Sequence, residues 1–577
     1  MSPEPTETFR HPPSESVRAW LLAGWGAIAL FLVQPPADLW MLAWVAPLPW
    51  LALATRRTLP GRHPWRMLWA CGLLQWLLTI HWLRLPHPAT SIGWVALSAY
   101  LATFVVLFIW TTRRLVHRWG WPLVLAAPVV WMGCEQLRGW LFGGFTFAGL
   151  GHTQWRWTSL VQVADAFGAV GVSGVVMTVA AGLAEIAAAR GRRARVFAAA
   201  VALAVPAIVL AYGTWRLATA PTPDGRPLDV LLVQGSIDTE LKHDPEAAGQ
   251  VARQYDDLTV AGLAQTPGRK PDLVVWPETM WRWGLITIDA DEVLPESVVA
   301  EAVGADAAPA LDAATRQARA RRLLEAERVD ALAAFARRYG THWLVGLDRQ
   351  EIGPDAPGGA RNYNAALFLD ADGAPLGCYD KMYPVLFGET IPGGATFPWL
   401  YRLTPLPAGL TPGTAPVAVE IAGRTVAPTI CYETALPGAV RSIVRGLAAR
   451  GRRPDVLVNL TNDGWFWGSS ELDMHLACGI FRAVEVRTPL VIAANTGFSA
   501  WIDGSGRLLA SGPRRATATL RAAVMPDGRA SPWLFWGAVP TGGCVAVVVA
   551  ALAGGLVEWK ARRTTAPDAL TGLPIQG

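Results

Sequence analysis

Residues 426–433 read Val-Ala-Pro-Thr-Ile-Cys-Tyr-Glu, an apolar run that ends in a cysteine and two further polar residues. Several other runs between residues 228 and 494 are likewise short, rich in Val, Leu and Ile, and continuous rather than alternating. Strands that are covered on both faces have this pattern. Helical segments lie between the runs, so the class predicted for this region is α/β. The predicted strands are Leu228–Gln234, Asp272–Trp276, Trp343–Leu347, Ala365–Leu369, Val426–Ile430, Asp455–Leu460 and Leu490–Ala494, and the predicted helices are Ala331–Tyr339 and Cys478–Arg487.

The chain as a whole is more apolar than a typical soluble protein, and the apolar excess lies on either side of this region. Hydrophobic residues make up 52% of the 577-residue chain and charged residues only 16%, whereas soluble proteins carry about 25% charged residues. A helix of about 20 apolar residues crosses a bilayer. We therefore predict a multi-pass α-helical membrane domain. The predicted spans are 17–34, 38–55, 66–85, 92–111, 121–137, 167–189, 196–215 and 535–557.

Basic residues in the membrane part lie in every second connection between spans, which predicts that those connections are cytoplasmic. The run at 121–137 contains Pro128 and ends at Glu135, and we retain it as a span because the alternation of basic connections requires it. Eight spans place both termini inside and the α/β domain outside. The basic residues are Arg10, Arg18, Arg56, Arg57, Arg62, Arg66, Arg113, Arg114, Arg118, Arg190, Arg192, Arg193, Arg195, Lys560, Arg562 and Arg563.

These assignments predict the domain organisation of the whole chain. Residues 285–330 are rich in Ala, Asp, Glu and Arg, and we expect them to be an insertion with a solvated helical face. The predicted parts are a disordered cytoplasmic tail at 1–15, seven transmembrane helices within 16–215, a non-cytoplasmic α/β domain at 216–534, an eighth helix at 535–557 and a cytoplasmic tail at 558–577.

Charge and cysteine content exclude several classes of function. The net charge of +5 could indicate nucleic-acid binding, but the basic residues lie in short loops and no aromatic–basic recognition motif accompanies them. Nucleic acid is therefore not an expected partner. The six cysteines have no CxxC or metal-type spacing, and the nine histidines form no HExxH motif. The sequence predicts no disulfide framework and no metal site.

Polar residues with catalytic potential follow the predicted strands. Glu278 comes after one strand, Cys431 comes after another, and Lys381 lies in a Gly/Pro-rich stretch. Ligands of α/β sheets gather at the carboxyl ends of strands. A thiolate is a strong nucleophile, a buried glutamate can accept the thiol proton, and a lysine can stabilise a thiolate and an oxyanion. Each residue also has an ordinary structural interpretation: Cys431 as a small core residue, Glu278 as a neighbour of a helix cap, and Lys381 as a surface cation.

Five motifs, taken together and in their order along the chain, resemble the nitrilase superfamily. With membrane spans on both sides of the domain, the chain also resembles the apolipoprotein N-acyltransferase family of Gram-negative-type bacteria over nearly its whole length. One departure is Pro384-Val385-Leu386 before Phe387, where the family usually reads Leu-Val-Pro-Phe-Gly-Glu. The motifs are Trp276-Pro277-Glu278, Tyr379-Asp380-Lys381, Phe387-Gly388-Glu389, Ile430-Cys431-Tyr432-Glu433 and Asn462-Asp463-Gly464-Trp465-Phe466.

The resemblance implies a nitrilase-like αββα sandwich that carries the active site. It implies a catalytic triad of Glu278, Lys381 and Cys431, and it requires no metal and no organic cofactor. The positions to which it assigns supporting or pocket roles are Glu389, Tyr432, Glu433, Gln234, Trp465 and Phe466.

The implied activity is transfer of a fatty acyl chain from a phospholipid to the N-terminal amine of a diacylglyceryl-cysteine lipoprotein through a Cys431 thioester. The implied location is a bacterial inner membrane, with the catalytic domain on the periplasmic side. An alternative is a membrane-tethered amidase whose thioester goes to water, and a third is a membrane scaffold without activity. The oligomeric state is open, and we expect a monomer because nothing resembles a heptad interface.

Overall fold

The chain forms a bundle of apolar helices and an α/β sandwich placed before the last of these helices. Our computed structural model describes residues 13–221, 225–238, 241, 245–289, 291–304, 312–353, 360–394, 396–403 and 409–564. Most of the predicted tail at 1–15 and the end of the tail at 558–577 lie outside these ranges.

The helices fall into a membrane group and a sandwich group. The membrane group is α1 Pro13–Leu32, α2 Leu48–Ala54, α3 Pro64–Thr79, α4 Thr90–His117, α5 Leu123–Trp140, α6 Thr158–Val161, α7 Ala164–Ala188 and α8 Arg192–Ala218. The sandwich group is α9 Ala248–Ala264, α10 Glu296–Val303, α11 Ala313–Tyr339, α12 Pro437–Ala448 and α13 Glu471–Val486. The short helix α14 Pro532–Trp536 follows the sandwich, and α15 Val539–Thr564 returns to the membrane group.

Five helices among the described residues are long and apolar enough to cross a membrane, and they are α1, α4, α7, α8 and α15. The other three predicted spans correspond to shorter elements. The run at 38–55 is divided into a 3-10 turn and α2, α3 has 16 residues, and α5 has 18 residues with Pro128 inside it. The eight-span topology therefore stays a prediction.

The α/β part consists of two six-stranded sheets. Their strands are β1 Leu228–Gln234, β2 Leu273–Ile288, β3 His342–Ile352, β4 Ala360–Leu369, β5 Pro375–Asp380, β6 Val419–Ile421, β7 Arg424–Ile430, β8 Val456–Thr461, β9 Leu490–Ala494, β10 Ala500–Ile502, β11 Leu508–Ser511 and β12 Ala518–Val524. The strand orders are β12-β1-β2-β3-β4-β5 and β11-β10-β9-β8-β7-β6. Strands β1 to β3 are parallel to one another, as are β7 to β9, and the outer pairs are antiparallel.

Each central strand is buried on both faces, which explains its continuous apolar sequence. In β1, Leu228, Val230 and Leu232 pack in the core between the sheets, whereas Leu231 and Val233 pack under α9 and α11. Helices α12 and α13 cover the outer face of the second sheet. The layers are therefore helix, sheet, sheet and helix, which confirms the predicted αββα sandwich.

Several predicted elements are shorter than the observed ones. Strand β2 continues through Glu278 to Ile288, so this glutamate lies inside an extended strand and does not follow a finished one. The predicted helix Ala331–Tyr339 is the last part of α11, which begins at Ala313 within the region expected to be an insertion. The first difference arises because β2 and β3 pair again beyond Glu278 and lengthen the sheet.

A buried ion-pair network joins the helix bundle to the sandwich. Asp165 at the start of α7 is fully buried and accepts hydrogen bonds from Tyr212 and Arg216 of α8. It also accepts hydrogen bonds from Arg487, which follows α13 in the sandwich and is itself buried. Arg487 donates a further hydrogen bond of 2.6 Å to Gln162. The network fixes the sandwich on α7 and α8.

Replacing Asp165 with asparagine should destabilise the whole chain by about 3 kcal/mol, because two arginines then lose their counter-ion inside the protein. Thermal unfolding in detergent would measure the change. Asp348→Asn is the matched control, because Asp348 pairs with Arg282 near the surface and such pairs contribute about 1 kcal/mol or less. Equal midpoints for the two variants would contradict the assigned role of the network.

Candidate active site

Glu278 lies in a bulge of β2. Strand β2 pairs with β3 as far as Trp276 and again from Trp281, so the intervening residues have no partner in the ladder. The next residue, Thr279, has φ +56°, a left-handed conformation that is uncommon for a residue with a side chain. At Glu278 the bulge interrupts the alternation of side chains between the two faces of β2.

The carboxylate of Glu278 is buried and held by three groups. Asn364 on β4 donates to Oε1 at 2.6 Å, and the backbone N–H of Asn462 donates to Oε2 at 2.9 Å. Lys381 Nζ lies 3.6 Å from Oε1. Asn364 was not predicted from the sequence, because no motif marks it and only strand pairing brings β4 to this point.

Gly346 of β3 allows the bulge to approach the neighbouring strand. A Cβ atom at Gly346 would lie 2.3 Å from the carbonyl oxygen of Pro277 and 2.6 Å from Cα of Glu278. Both neighbours are backbone atoms, so an added methyl group must displace the bulge.

Replacing Gly346 with alanine should lower acyl-transfer activity about 100-fold, because a displacement of about 1 Å at a catalytic group costs that much. Steady-state transfer rates would measure the effect. Gly438→Ala is the control, since a Cβ at Gly438 meets nothing within 4 Å. Wild-type activity in Gly346→Ala would show that the bulge does not position Glu278.

Lys381 follows β5 and is almost fully buried between two carboxylates. Its Nζ donates to Glu389 Oε1 at 2.7 Å, and its backbone N–H donates to the carbonyl of Asn364 at 2.8 Å. Burial alone would lower the pKa of Lys381, but Glu389 and Glu278 outweigh burial and raise it. Lys381 is therefore a cation at neutral pH. Glu389 is fixed in turn by the backbone N–H of Val385 at 2.8 Å.

Cys431 begins the 3-10 turn Cys431–Ala435 directly after β7. It has φ +50°, so the backbone turns sharply at the thiol-bearing residue. Strained conformations of this kind persist only where the surroundings hold them. The carbonyl oxygen of Cys431 accepts hydrogen bonds from Asn459, Thr434 and His475.

The thiol of Cys431 is half-buried and protonated at rest. Burial and the charge of Glu278 raise its pKa well above 9.0, while Lys381 acts in the opposite direction. Asp463 and Glu389 also raise this pKa. Because the charges of Glu278 and Lys381 act on Cys431, the three residues of the predicted triad lie in one site. A nucleophile with this pKa needs a base that takes the proton as the reaction begins.

The rate of Cys431 alkylation by iodoacetamide should rise with pH without a plateau up to pH 9, because the folded-state pKa lies above 9.0. Peptide mass mapping would separate Cys431 from the other cysteines. Lys381→Met should slow the reaction further, because the cation that favours the thiolate is removed. A plateau near pH 7 would contradict a protonated resting thiol.

Glu433 holds the Cys431 turn against the Lys381 segment. Its buried carboxylate accepts hydrogen bonds from the Tyr379 hydroxyl, from the backbone N–H groups of Met382 and Tyr383, and from that of Ile430. Burial raises the pKa of Glu433, and these hydrogen bonds oppose the shift. Glu433 therefore connects the Cys431 turn to the segment that carries Lys381 and fixes their relative position.

Tyr432 and Phe466 point to the membrane part. The Tyr432 hydroxyl donates to the carbonyl of Gly144 at 2.8 Å, and its ring lies 5.8 Å from the ring of Phe147. The ring of Phe466 meets Trp82 edge-on at 5.1 Å. Trp465 is half-buried in the same turn as Phe466. We call Trp76, Trp82, Phe145, Phe147, Tyr432 and Phe466 the aromatic cluster; it joins the site to the helix bundle.

Gln234, to which the resemblance assigns a pocket role, lies at the end of β1. Its side-chain nitrogen donates to the carbonyls of Pro513 and Ala516, and its oxygen accepts from the backbone N–H of Ser499. These bonds connect the end of β1 to loops of the second sheet. The side chain is fully buried and ties the two sheets together.

His475 and Asp463 lie beneath Cys431 and were not selected from the sequence, although Asp463 lies inside a quoted motif. Nδ1 of His475 is 3.1 Å from Asp463 Oδ1, and Nε2 is 3.2 Å from the Cys431 carbonyl and 2.8 Å from the Thr434 hydroxyl. Burial would lower the pKa of His475, but Asp463 outweighs burial and raises it to about 9. The protonated ring can then donate from both nitrogens.

Asp463, His475 and the buried Glu471 place one possible ligand atom each within 4.8 Å of one another. Both ring nitrogens of His475 are already hydrogen-bonded to protein groups. Burial and the charge of Asp463 raise the pKa of Glu471 well above its ordinary value. We therefore describe an Asp463–His475 ion pair beside Glu471 and assign no metal to it.

Comparisons with known proteins agree with both halves of this architecture. Residues 26–182 match the family model of the apolipoprotein N-acyltransferase N-terminal domain. Residues 249–531 match that of carbon-nitrogen hydrolases. The sandwich from β2 to β12, with its bulged Glu278, thus lies in the second match, whereas β1 precedes that match. Helices α2 to α6 lie in the first match.

Curated relatives cover nearly the full length. A Rhodopirellula baltica apolipoprotein N-acyltransferase is 31% identical in an alignment of 578 positions that covers 94% of this chain and 98% of the relative. That of Geobacter metallireducens is 31% identical over 94% of this chain and 97% of the relative. Among solved structures, an amidase from Nesterenkonia sp. is 19% identical, with a TM-score of 0.32, over 54% of this chain and 93% of the amidase. The chain therefore belongs to the apolipoprotein N-acyltransferase family and is an acyltransferase of the carbon-nitrogen hydrolase superfamily.

Proposed function

We propose that the chain moves a fatty acyl group from a membrane phospholipid to the N-terminal amine of a diacylglyceryl-cysteine lipoprotein, through a thioester on Cys431. The observation that carries the proposal is the buried site in which Lys381 lies between Glu278 and Glu389 beside the Cys431 turn. This site meets the membrane part through the aromatic cluster. A base, a cation and a thiol are the groups that thioester chemistry needs.

In the first half-reaction, Glu278 takes the proton from the Cys431 thiol as sulfur attacks the carbonyl carbon of the phospholipid ester. The carbonyl oxygen becomes an oxyanion, and the ester C–O bond then breaks. The leaving alkoxide takes the proton from Glu278 and departs as a lysophospholipid. The acyl chain remains on sulfur as a thioester.

Lys381 supplies the fixed positive charge of the site. It stays protonated because Glu389 and Glu278 raise its pKa. A cation already in place stabilises developing negative charge on sulfur and on the oxyanion without rearrangement. The first N–H groups of the Cys431–Ala435 turn have no acceptor inside the turn, and we propose that they assist in binding the oxyanion.

In the second half-reaction, the lipoprotein amine attacks the thioester carbon and Glu278 accepts its proton. The C–S bond breaks, the amide is released, and the Cys431 thiolate recovers the proton from Glu278. The two substrates use the site in turn, so the kinetics should be ping-pong.

The placement beside apolar helices suits substrates that never leave the bilayer. Both the phospholipid and the lipoprotein carry chains anchored in lipid, and a tethered site brings them together at high effective concentration. The bias of basic residues toward every second connection supports a location in the bacterial inner membrane with the sandwich in the periplasm.

The test uses purified protein in phospholipid micelles with a synthetic diacylglyceryl-cysteine peptide. We expect an amide-linked third acyl chain on the peptide amine, detected by mass spectrometry. A matched peptide with an acetylated amine is the control and should receive no acyl chain. Free fatty acid without acylated peptide would instead support the amidase alternative, because the thioester would then go to water.

A further inference from the structure

Arg138, near the end of α5, is a buried cation that has no close ion-pair partner among the described residues, although Glu135 acts on it electrostatically from one helical turn away. The residue is only 6% exposed. Within the part of the chain that the structure describes, no carboxylate oxygen lies within 4.0 Å of its guanidinium nitrogens, and its Nε has no hydrogen-bond partner. The guanidinium lies over the ring of Trp76 at 5.1 Å. An unpaired buried charge is costly, and a charged residue in a membrane domain marks a site of function.

Arg138 lines a cavity between α1, α3, α4 and α5. The cavity has a volume of about 50 Å³, and most of its wall is apolar. Its polar wall groups are Gln34, Gln75, Glu135 and Arg138. Glu135 accepts hydrogen bonds from the Trp131 indole and the backbone N–H of Leu150, and it also interacts electrostatically with Arg138. A cavity of this size admits a small polar group such as a phosphate.

Hydrogen-bond donors without partners are concentrated in the same region. The indole N–H of Trp82, the hydroxyl of Tyr100 and the hydroxyl of Ser98 are buried and unsatisfied, as is Arg138 Nε. The side chains of Trp82 and Tyr100 pack in one group with that of Trp76. Buried polar groups of native proteins nearly always have partners. The side-chain oxygen of Gln75, which lines the cavity, is also buried and unsatisfied, but most of the unsatisfied groups can donate. A ligand that offers several acceptors would satisfy most of them.

This region adjoins the candidate active site. The Tyr432 hydroxyl contacts Gly144, a few residues beyond Arg138, and Tyr432 follows the nucleophile directly. Burial raises the pKa of Tyr432, and Arg138 opposes that shift, so the guanidinium acts electrostatically on the residue next to Cys431. A group held at Arg138 therefore lies beside the reacting centre.

We propose that Arg138 binds the phosphate of the lipid acyl donor and so holds the donor with its ester facing Cys431. The proposal rests on the proposed function. A guanidinium presents a planar fork of donors that matches phosphate oxygens, and it stacks on aromatic faces, as Arg138 does on Trp76. The phosphate supplies the close ion-pair partner that Arg138 does not have among the described residues.

The experiment compares two donors with identical acyl chains, phosphatidic acid and diacylglycerol, which differ in the phosphate. The rate of Cys431 thioester formation is measured by mass spectrometry at low donor fractions in detergent micelles. Wild type should react about 10- to 100-fold faster with phosphatidic acid, the range for charge-assisted hydrogen bonds to a buried cation. Arg138→Gln should lose this preference, and Arg138→Lys should keep part of it. Arg84→Gln, an exposed arginine after α3, is the control and should keep all of it.

Equal wild-type rates with both donors, or a full preference in Arg138→Gln, would overturn the phosphate site. The wild-type comparison decides the question even if Arg138→Gln does not fold. Inorganic phosphate in excess over lipid should not inhibit, and inhibition would assign the site to a free anion instead. If neither donor acylates Cys431 in wild type, the proposed function fails, whereas equal acylation by both donors overturns only the phosphate site.

Discussion

Replacing Cys431 with alanine should abolish both thioester formation and acyl transfer, a loss larger than 10,000-fold. In the proposed mechanism the thiol carries the acyl chain, and Lys381 cannot take its place, because Glu389 and Glu278 hold it as a cation. Removing the nucleophile of a covalent mechanism has effects of this order. Transfer to a diacylglyceryl-cysteine peptide would measure the loss.

Cys478→Ala is the matched control for this substitution. Cys478 is fully buried in α13 and packs among apolar and aromatic side chains, so its removal should leave the transfer rate within a few fold. Transfer by the Cys431→Ala variant at more than a few per cent of the wild-type rate would exclude a thioester on this residue.

Glu278→Gln should lower the rate of thioester formation by about 1,000-fold, near the upper part of the range for general base catalysis. Glutamine keeps the size of the side chain and can keep the hydrogen bond from Asn462, but it cannot accept the thiol proton. Since burial and nearby charge hold the Cys431 pKa above 9.0, little thiolate forms without the base. Stopped-time mass spectrometry of the acyl-enzyme would measure the rate.

Glu325→Gln is the control for the loss of a partly buried carboxylate away from the site. Glu325 accepts a hydrogen bond from the backbone N–H of Ile288 at the far end of β2. A rate for Glu278→Gln within about tenfold of this control would remove Glu278 as the base. A wild-type midpoint of thermal unfolding in detergent would show that Glu278→Gln remains folded.

The central strands could be predicted from the sequence, because strands buried on both faces leave continuous apolar runs, whereas the candidate catalytic residues came from motifs that resemble the nitrilase superfamily. The outer strands β5, β6, β10, β11 and β12 could not be predicted, since their residues are partly exposed. The bulge at Glu278 also leaves no local pattern. It depends on Gly346, which is close in space but lies 68 residues further along the chain (346 − 278).

The site also contains groups that act across long distances in sequence. Asn364 reaches Glu278 only through strand pairing, and His475 reaches the Cys431 carbonyl only through the packing of α13. A single histidine among apolar residues carries no signal of its own. The departure at Pro384-Val385-Leu386 leaves the contacts of Glu389 in place, since the N–H of Val385 and Nζ of Lys381 both donate to its carboxylate.

The central claim is that an acyl chain from a lipid rests on the sulfur of Cys431, and its most direct test is the intact mass of the protein. After incubation with phospholipid and without an acceptor, the mass should increase by one fatty acyl group. Hydroxylamine should remove this group, and peptide mapping should place it on Cys431. An unmodified mass, or an acyl group on any other residue, would contradict the account.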